Sequence, residues 1–149
     1  MLDFVNASEY RTRRIYRWLS VALLVASCSL AHAQKSDVPA DAIKLKAGQQ
    51  AFIEFTVDGN RLINPQVSPE PVPRKPVLIV VFERTGQERS MQILNGFERT
   101  LSYKLMVSFK GRRGYFELPM KAIAGGVQSR TTWGDPVEEI YLFDFQLSD

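Results

Sequence analysis

Leu101-Ser-Tyr-Lys-Leu-Met-Val-Ser-Phe109 carries apolar side chains at positions 101, 103, 105, 107 and 109, with polar Ser102, Lys104 and Ser108 opposite them. A period of two sends alternate side chains to opposite faces of an extended strand, so one face of this stretch suits a core and the other suits solvent. In Ala51-Phe-Ile-Glu-Phe-Thr-Val57 the residues Ile53, Phe55 and Val57 share a face opposite Glu54 and Thr56. Ile43, Leu45 and Ala47 alternate with Lys44 and Lys46 just before it. Glu139-Ile-Tyr-Leu-Phe-Asp-Phe-Gln-Leu147 reads as a further strand with Asp144 in its polar phase.

Val77-Leu-Ile-Val-Val-Phe82 is apolar throughout, which predicts a central strand buried on both faces. Asp58-Gly59-Asn60, Arg84-Thr-Gly-Gln87, Asn95-Gly96 and Lys110-Gly-Arg-Arg-Gly114 punctuate these runs with residues that tolerate positive φ or favour turns. Pro65-Gln-Val-Ser-Pro-Glu-Pro-Val-Pro-Arg-Lys-Pro76 holds five of the eight prolines and predicts a stiff crossover between two sheets. No segment shows a capped amphipathic helix. Roughly seven to nine short strands at about ten-residue spacing predict an all-β fold, a two-sheet antiparallel immunoglobulin-like sandwich; a small β-barrel is the alternative.

The first 33 residues read as an address. Arg11, Arg13, Arg14 and Arg17 form a positive region, Trp18 to Leu30 an apolar one, and Ala31-His32-Ala33 presents small residues around a cleavage site at Ala33. That order predicts a secretory signal peptide over 1–33, too short in its apolar part to span a bilayer. A second reading stays open. Val25-Ala26-Ser27-Cys28 fits a lipobox, which makes 1–27 a lipoprotein signal and Cys28 a lipid-bearing anchor. Residues 34–41 then form a flexible leader and 42–149 a single domain, expected to be exported to the periplasm or beyond, or tethered to the outer membrane.

Residue types limit the chemistry. The only Cys, Cys28, and the only His, His32, lie in the address segment, so the domain has no Ser-His-Asp triad, no thiol nucleophile and no usual zinc or copper ligands. Residues 34–149 hold 15 Lys and Arg against 14 Asp and Glu, which gives no electrostatic reason to expect nucleic-acid binding. No Gly-x-Gly-x-x-Gly cradle is present, and no cofactor is expected. Surface recognition of an envelope protein or a glycan is the predicted function, rather than catalysis.

Gly125-Gly-Val-Gln-Ser-Arg-Thr-Thr-Trp-Gly-Asp-Pro136 is the leading candidate surface, because Arg130, Trp133 and Asp135 have the composition of a binding hot spot. The competing reading makes Trp133 a plug for one end of the sandwich. Arg112 and Arg113 form a cationic hairpin tip suited to anionic groups, or simply a solvated turn. A carbohydrate-binding module would need exposed aromatics in line, with Tyr115, Trp133 and Tyr141 as the candidates. A glycan-acting enzyme would need paired carboxylates, drawn from Glu117, Glu138, Glu139 and Asp144.

Overall fold

The computed structural model describes residues 37–149 apart from Val72 and Asp135. Among the described residues there are nine strands and no helix: β1 (Ile43–Lys46), β2 (Gln49–Asp58), β3 (Arg61–Ser68), β4 (Leu78–Thr85), β5 (Glu88–Asn95), β6 (Thr100–Phe109), β7 (Phe116–Leu118), β8 (Gln128–Trp133) and β9 (Val137–Ser148). Every pairing is antiparallel.

The strands run in the order β7-β6-β9-β3-β2-β4-β5-β8, with β1 also on β9, as one curled, half-barrel sheet. The all-β antiparallel expectation therefore holds, whereas two separate sheets do not appear. Continuity rests on one register pair, Arg61 with Gln146, which joins β3 to β9. The proline-rich stretch crosses over β2 to reach β4 within this same sheet, and Pro65 itself lies inside β3.

Two hairpins obey their turn chemistry. Asp58 faces Arg61 across Gly59-Asn60, and Thr85 faces Glu88 across Gly86-Gln87. In each, the first loop residue is glycine at positive φ, 58° and 62°, a conformation that twists the strands compatibly and is costly for a side chain.

Three bulges reset the alternation: one sets Glu138 of β9 as an extra residue between Ser108↔Glu139 and Phe109↔Val137, and the other two each involve a left-handed residue. Between Ser102↔Gln146 and Lys104↔Phe143, β6 supplies only Tyr103 while β9 supplies Asp144 and Phe145. Between Glu54↔Gln66 and Thr56↔Ile63, β2 supplies only Phe55 while β3 supplies Asn64 and Pro65. Asn64 and Asp144 both sit at φ 52°, the left-handed region that Asn and Asp tolerate better than other side chains. Asp144 is thus the bulge residue rather than one beat of a regular alternation. Its extra step lets Leu142 and Phe145, an odd number apart, face the same core.

That core lies inside the curl. Leu78, Val80 and Phe82 of β4 meet Met91 and Ile93 of β5, Leu101, Leu105 and Val107 of β6, and Ile140 and Leu142 of β9. β4 buries one face fully, while Ile79 and Val81 on the other are half-buried, so the expected two-sided burial is only partial. The reverse face of β6 and β9 carries a second cluster of Met106, Tyr141 and Phe143, on which Val38, Ala42 and Tyr115 pack. Val57 breaks the pattern read from sequence. β2 pairs with β4 only from Gln49 to Ile53, so its far end runs beyond the core and leaves Val57 52% exposed.

Candidate functional site

β8 takes up half of the 125–136 segment, as an edge strand rather than a loop. It pairs with β5 from Arg89↔Trp133 to Leu94↔Gln128. The backbone amide of Asn95 donates to Val127 O at 3.1 Å, and that of Gly96 to Val77 O at 3.1 Å. Counting the antiparallel alternation from these two bonds, Met91 and Ile93 bond to β8 while Ser90, Gln92 and Leu94 bond to β4. The backbone groups of Gln128, Arg130 and Thr132 therefore point away from β5. Among the described residues no strand covers them.

The other edges are blunted. β7 is three residues long and runs straight into Pro119, β1 is four residues with Lys44 and Lys46, and β3 is interrupted by its bulge at Asn64 and Pro65. Short length, lysine, proline and bulges are the usual defences against strand addition. β8 has six residues, no proline, no bulge and one charge, Arg130. Gln, Ser and Thr fill its remaining positions up to Trp133, which leaves the edge open and wettable.

Arg130 and Trp133 are not brought together, because residues three apart on a strand point to opposite faces. Trp133 is half-buried and meets Phe82 edge-to-face, ring centroids 6.3 Å apart at 84°. It closes the core at the end of β8, in line with the plug reading. Arg130 is exposed on the outer face, where its Nη2 donates to Ser90 Oγ at 3.4 Å. Beside it Gln128 donates to Gln92 Oε1 at 2.6 Å, and Gln92 in turn to Glu83 Oε2 at 3.4 Å. Asp135, Cys28 and Ala33 lie outside the described residues.

At the β6–β7 turn Arg112 and Arg113 are both exposed. The Arg112 guanidinium lies 5.2 Å from the Phe109 ring centroid, and its backbone amide closes the turn on Phe109 O. Gly111 and Gly114, at φ 77° and 97°, supply the left-handed steps on either side.

Two of the three carboxylates of β9, Glu139 and Asp144, are engaged separately. Glu139 pairs with Lys44 Nζ at 2.8 Å and accepts from the Tyr141 hydroxyl. Its partial burial works against the charge, but these two hydrogen bonds outweigh it and hold the carboxyl below its ordinary range. Asp144 accepts from the Gln146 amide and pairs with Lys104 Nζ at 3.0 Å, which lowers it as well. Tyr115 meets Tyr141 edge-to-face at 5.1 Å, but Tyr141 is only 6% exposed and Trp133 packs elsewhere on Phe82. Among the described residues, no group of three or more His, Cys, Asp or Glu side chains converges on a metal position.

Asn95 is the residue that sequence reading passed over as a turn marker. It is fully buried; its Nδ2 donates to the carbonyls of Arg99 (2.8 Å), Ile123 (3.0 Å) and Ala124 (3.2 Å), and its Oδ1 accepts from Phe97 N. One side chain thereby ties the β5–β6 loop to the segment that feeds β8. Comparison with protein-family models, with curated proteins and with solved structures found no match, so geometry and sequence carry the functional reading.

Proposed function

We propose that this chain is an exported envelope protein that recognises a protein partner by accepting an extended segment along β8. The open edge carries the reading: three consecutive outward-facing backbone units, at Gln128, Arg130 and Thr132, on a strand without blocking residues. A partner strand would gain main-chain hydrogen bonds there, while Arg130 and the glutamines of the outer face would select its side chains. The core filled from β1, β6 and β9 against β2, β4 and β5 supports treating the curled sheet as a sandwich-type scaffold for that edge. Arg11 to Ala33, with its charged, apolar and small-residue regions, supports export.

The test places a photo-crosslinking residue at Gln128, Arg130 or Thr132 in the full chain in its own cells. Adducts to one protein are expected from these sites, and their loss on adding Thr132→Pro. Adducts that persist unchanged with the proline, or arise equally from a crosslinker at Lys121, would refute edge recognition. Intact mass of the same material checks export: a chain starting at Gln34 or at a lipidated Cys28 agrees with it, and one retaining Met1 in the cytosol does not.

A further inference from the structure

A groove of about 530 Å³ opens between the end of the proline-rich crossover and the β5–β6 loop, within the size range of small-molecule sites. Its apolar surface comes mainly from Val57, one of the few large apolar side chains left exposed in the described residues, while the core residues Phe97 and Leu147 reach it only by their edges. Arg74, Lys75 and Arg99 add cations, and Glu98 adds one anion.

One wall is built rigidly. Asn95 holds the backbone of Phe97 and Arg99 from within the core. Arg99 Nε pairs with Asp149 at 3.0 Å, and its Nη2 donates to Asn60 Oδ1 at 2.7 Å, which locks the loop to the β2–β3 turn. Gly96 lies so close to the start of β4 that a Cβ there would fall 2.2 Å from Val77 O. A preformed wall lowers the ordering cost of binding.

The charges are not equivalent. Lys75 is matched by Glu54 at 2.7 Å and Arg99 by Asp149, whereas Arg74 has no ion-pair partner among the described residues. The groove thus offers one uncommitted guanidinium beside the bare side chain of Val57. Glu98 shares the groove and disfavours a doubly charged head.

We propose that this groove binds an amphiphilic monocarboxylate, with its carboxylate on Arg74 and its acyl or aryl body over Val57 and the edges of Phe97 and Leu147. A planar guanidinium fits a carboxylate through two parallel hydrogen bonds, and the apolar body removes Val57 from water.

The test titrates dodecanoate into the purified full chain and follows backbone amide resonances. Saturable shifts are expected at residues 57, 74–75 and 96–99. Arg74→Gln keeps a side chain of similar polarity at the same strained φ and should weaken dodecanoate by about tenfold or more, while Arg112→Gln, also a lost surface cation, leaves it unchanged. Val57→Ser should weaken it too, through the apolar half of the site. Dodecanol and dodecyl phosphate are expected to bind less tightly than dodecanoate. Shifts confined to other regions, equal affinity of Arg74→Gln and the parent, or tighter binding of the alcohol or the phosphate would each overturn the assignment.

Discussion

Asn95 Nδ2 donates to the carbonyl of Ile123 at 3.0 Å, joining residues 28 apart in sequence inside a site closed to water. This bond and its neighbours join the two regions proposed above as binding sites. The loop on one side walls the groove at Phe97 and Arg99, and the segment on the other leads into β8. Replacing Asn95 by Ala leaves buried carbonyls and one amide unmatched, which costs about 2–4 kcal/mol in denaturant unfolding. Asn95→Asp should cost more, because it brings acceptors where three carbonyls need donors.

Close backbone packing gives a second prediction with its own control. A Cβ on Gly96 would meet Val77 O at 2.2 Å, and one on Gly125 would meet Glu98 O at 2.1 Å. Gly134 has no heavy atom within 4 Å of the same position. Gly96→Ala and Gly125→Ala should each lower stability by about 1–3 kcal/mol, since backbone must shift, and Gly134→Ala should stay within about 0.5 kcal/mol.

The ladder phase of β8 separates recognition from folding. Thr131 bonds inward to β5, so Thr131→Pro leaves a buried carbonyl without its donor and should cost about 1–3 kcal/mol. Thr132 bonds outward, and Thr132→Pro should change stability by less than about 1 kcal/mol, as proline is accepted where the lost amide faced solvent. Partner adducts should vanish in the second variant although its fold is intact.

Acid and alkali act on different groups. The Gln146 and Lys104 contacts lower Asp144, so its contribution to stability is present above about pH 4 and is lost as pH falls through the folded value. Asp144→Asn should flatten that acid loss while keeping the bulge, because Asn also tolerates φ 52°. Burial raises Tyr103 to about 12. Its contribution is full below about pH 10, the unfolded value, and is lost as pH rises through the folded one. Unfolding midpoints of Tyr103→Phe should lack that alkaline decline.

Much of the strand pattern was legible because alternation is a local property. The run from Leu101 to Val107 could be read residue by residue, and Gly59 and Gly86 mark their hairpins through their own φ. Asp144 could not be read this way. An alternating strand and a bulged strand differ only in the register of the partner, here Tyr103 against Asp144 and Phe145. Arg130 and Trp133 look like neighbours in a loop, but they part as soon as the segment becomes a strand. Val57 has the right periodicity for a core and is exposed because β4 pairs with β2 no further than Ile53.

By itself, the sequence determined the all-β class, the turn positions and the absence of His and Cys from residues 34–149, since these depend on each residue's own preferences and chemistry. Only the tertiary structure decided that the strands form one curled sheet, that β8 is an edge strand with no strand beyond it among the described residues, and that Arg74 and Val57 share a groove with Phe97. Strand order and register are set by contacts between residues far apart in the chain, and a period of two is the same whichever neighbour a strand finally pairs with.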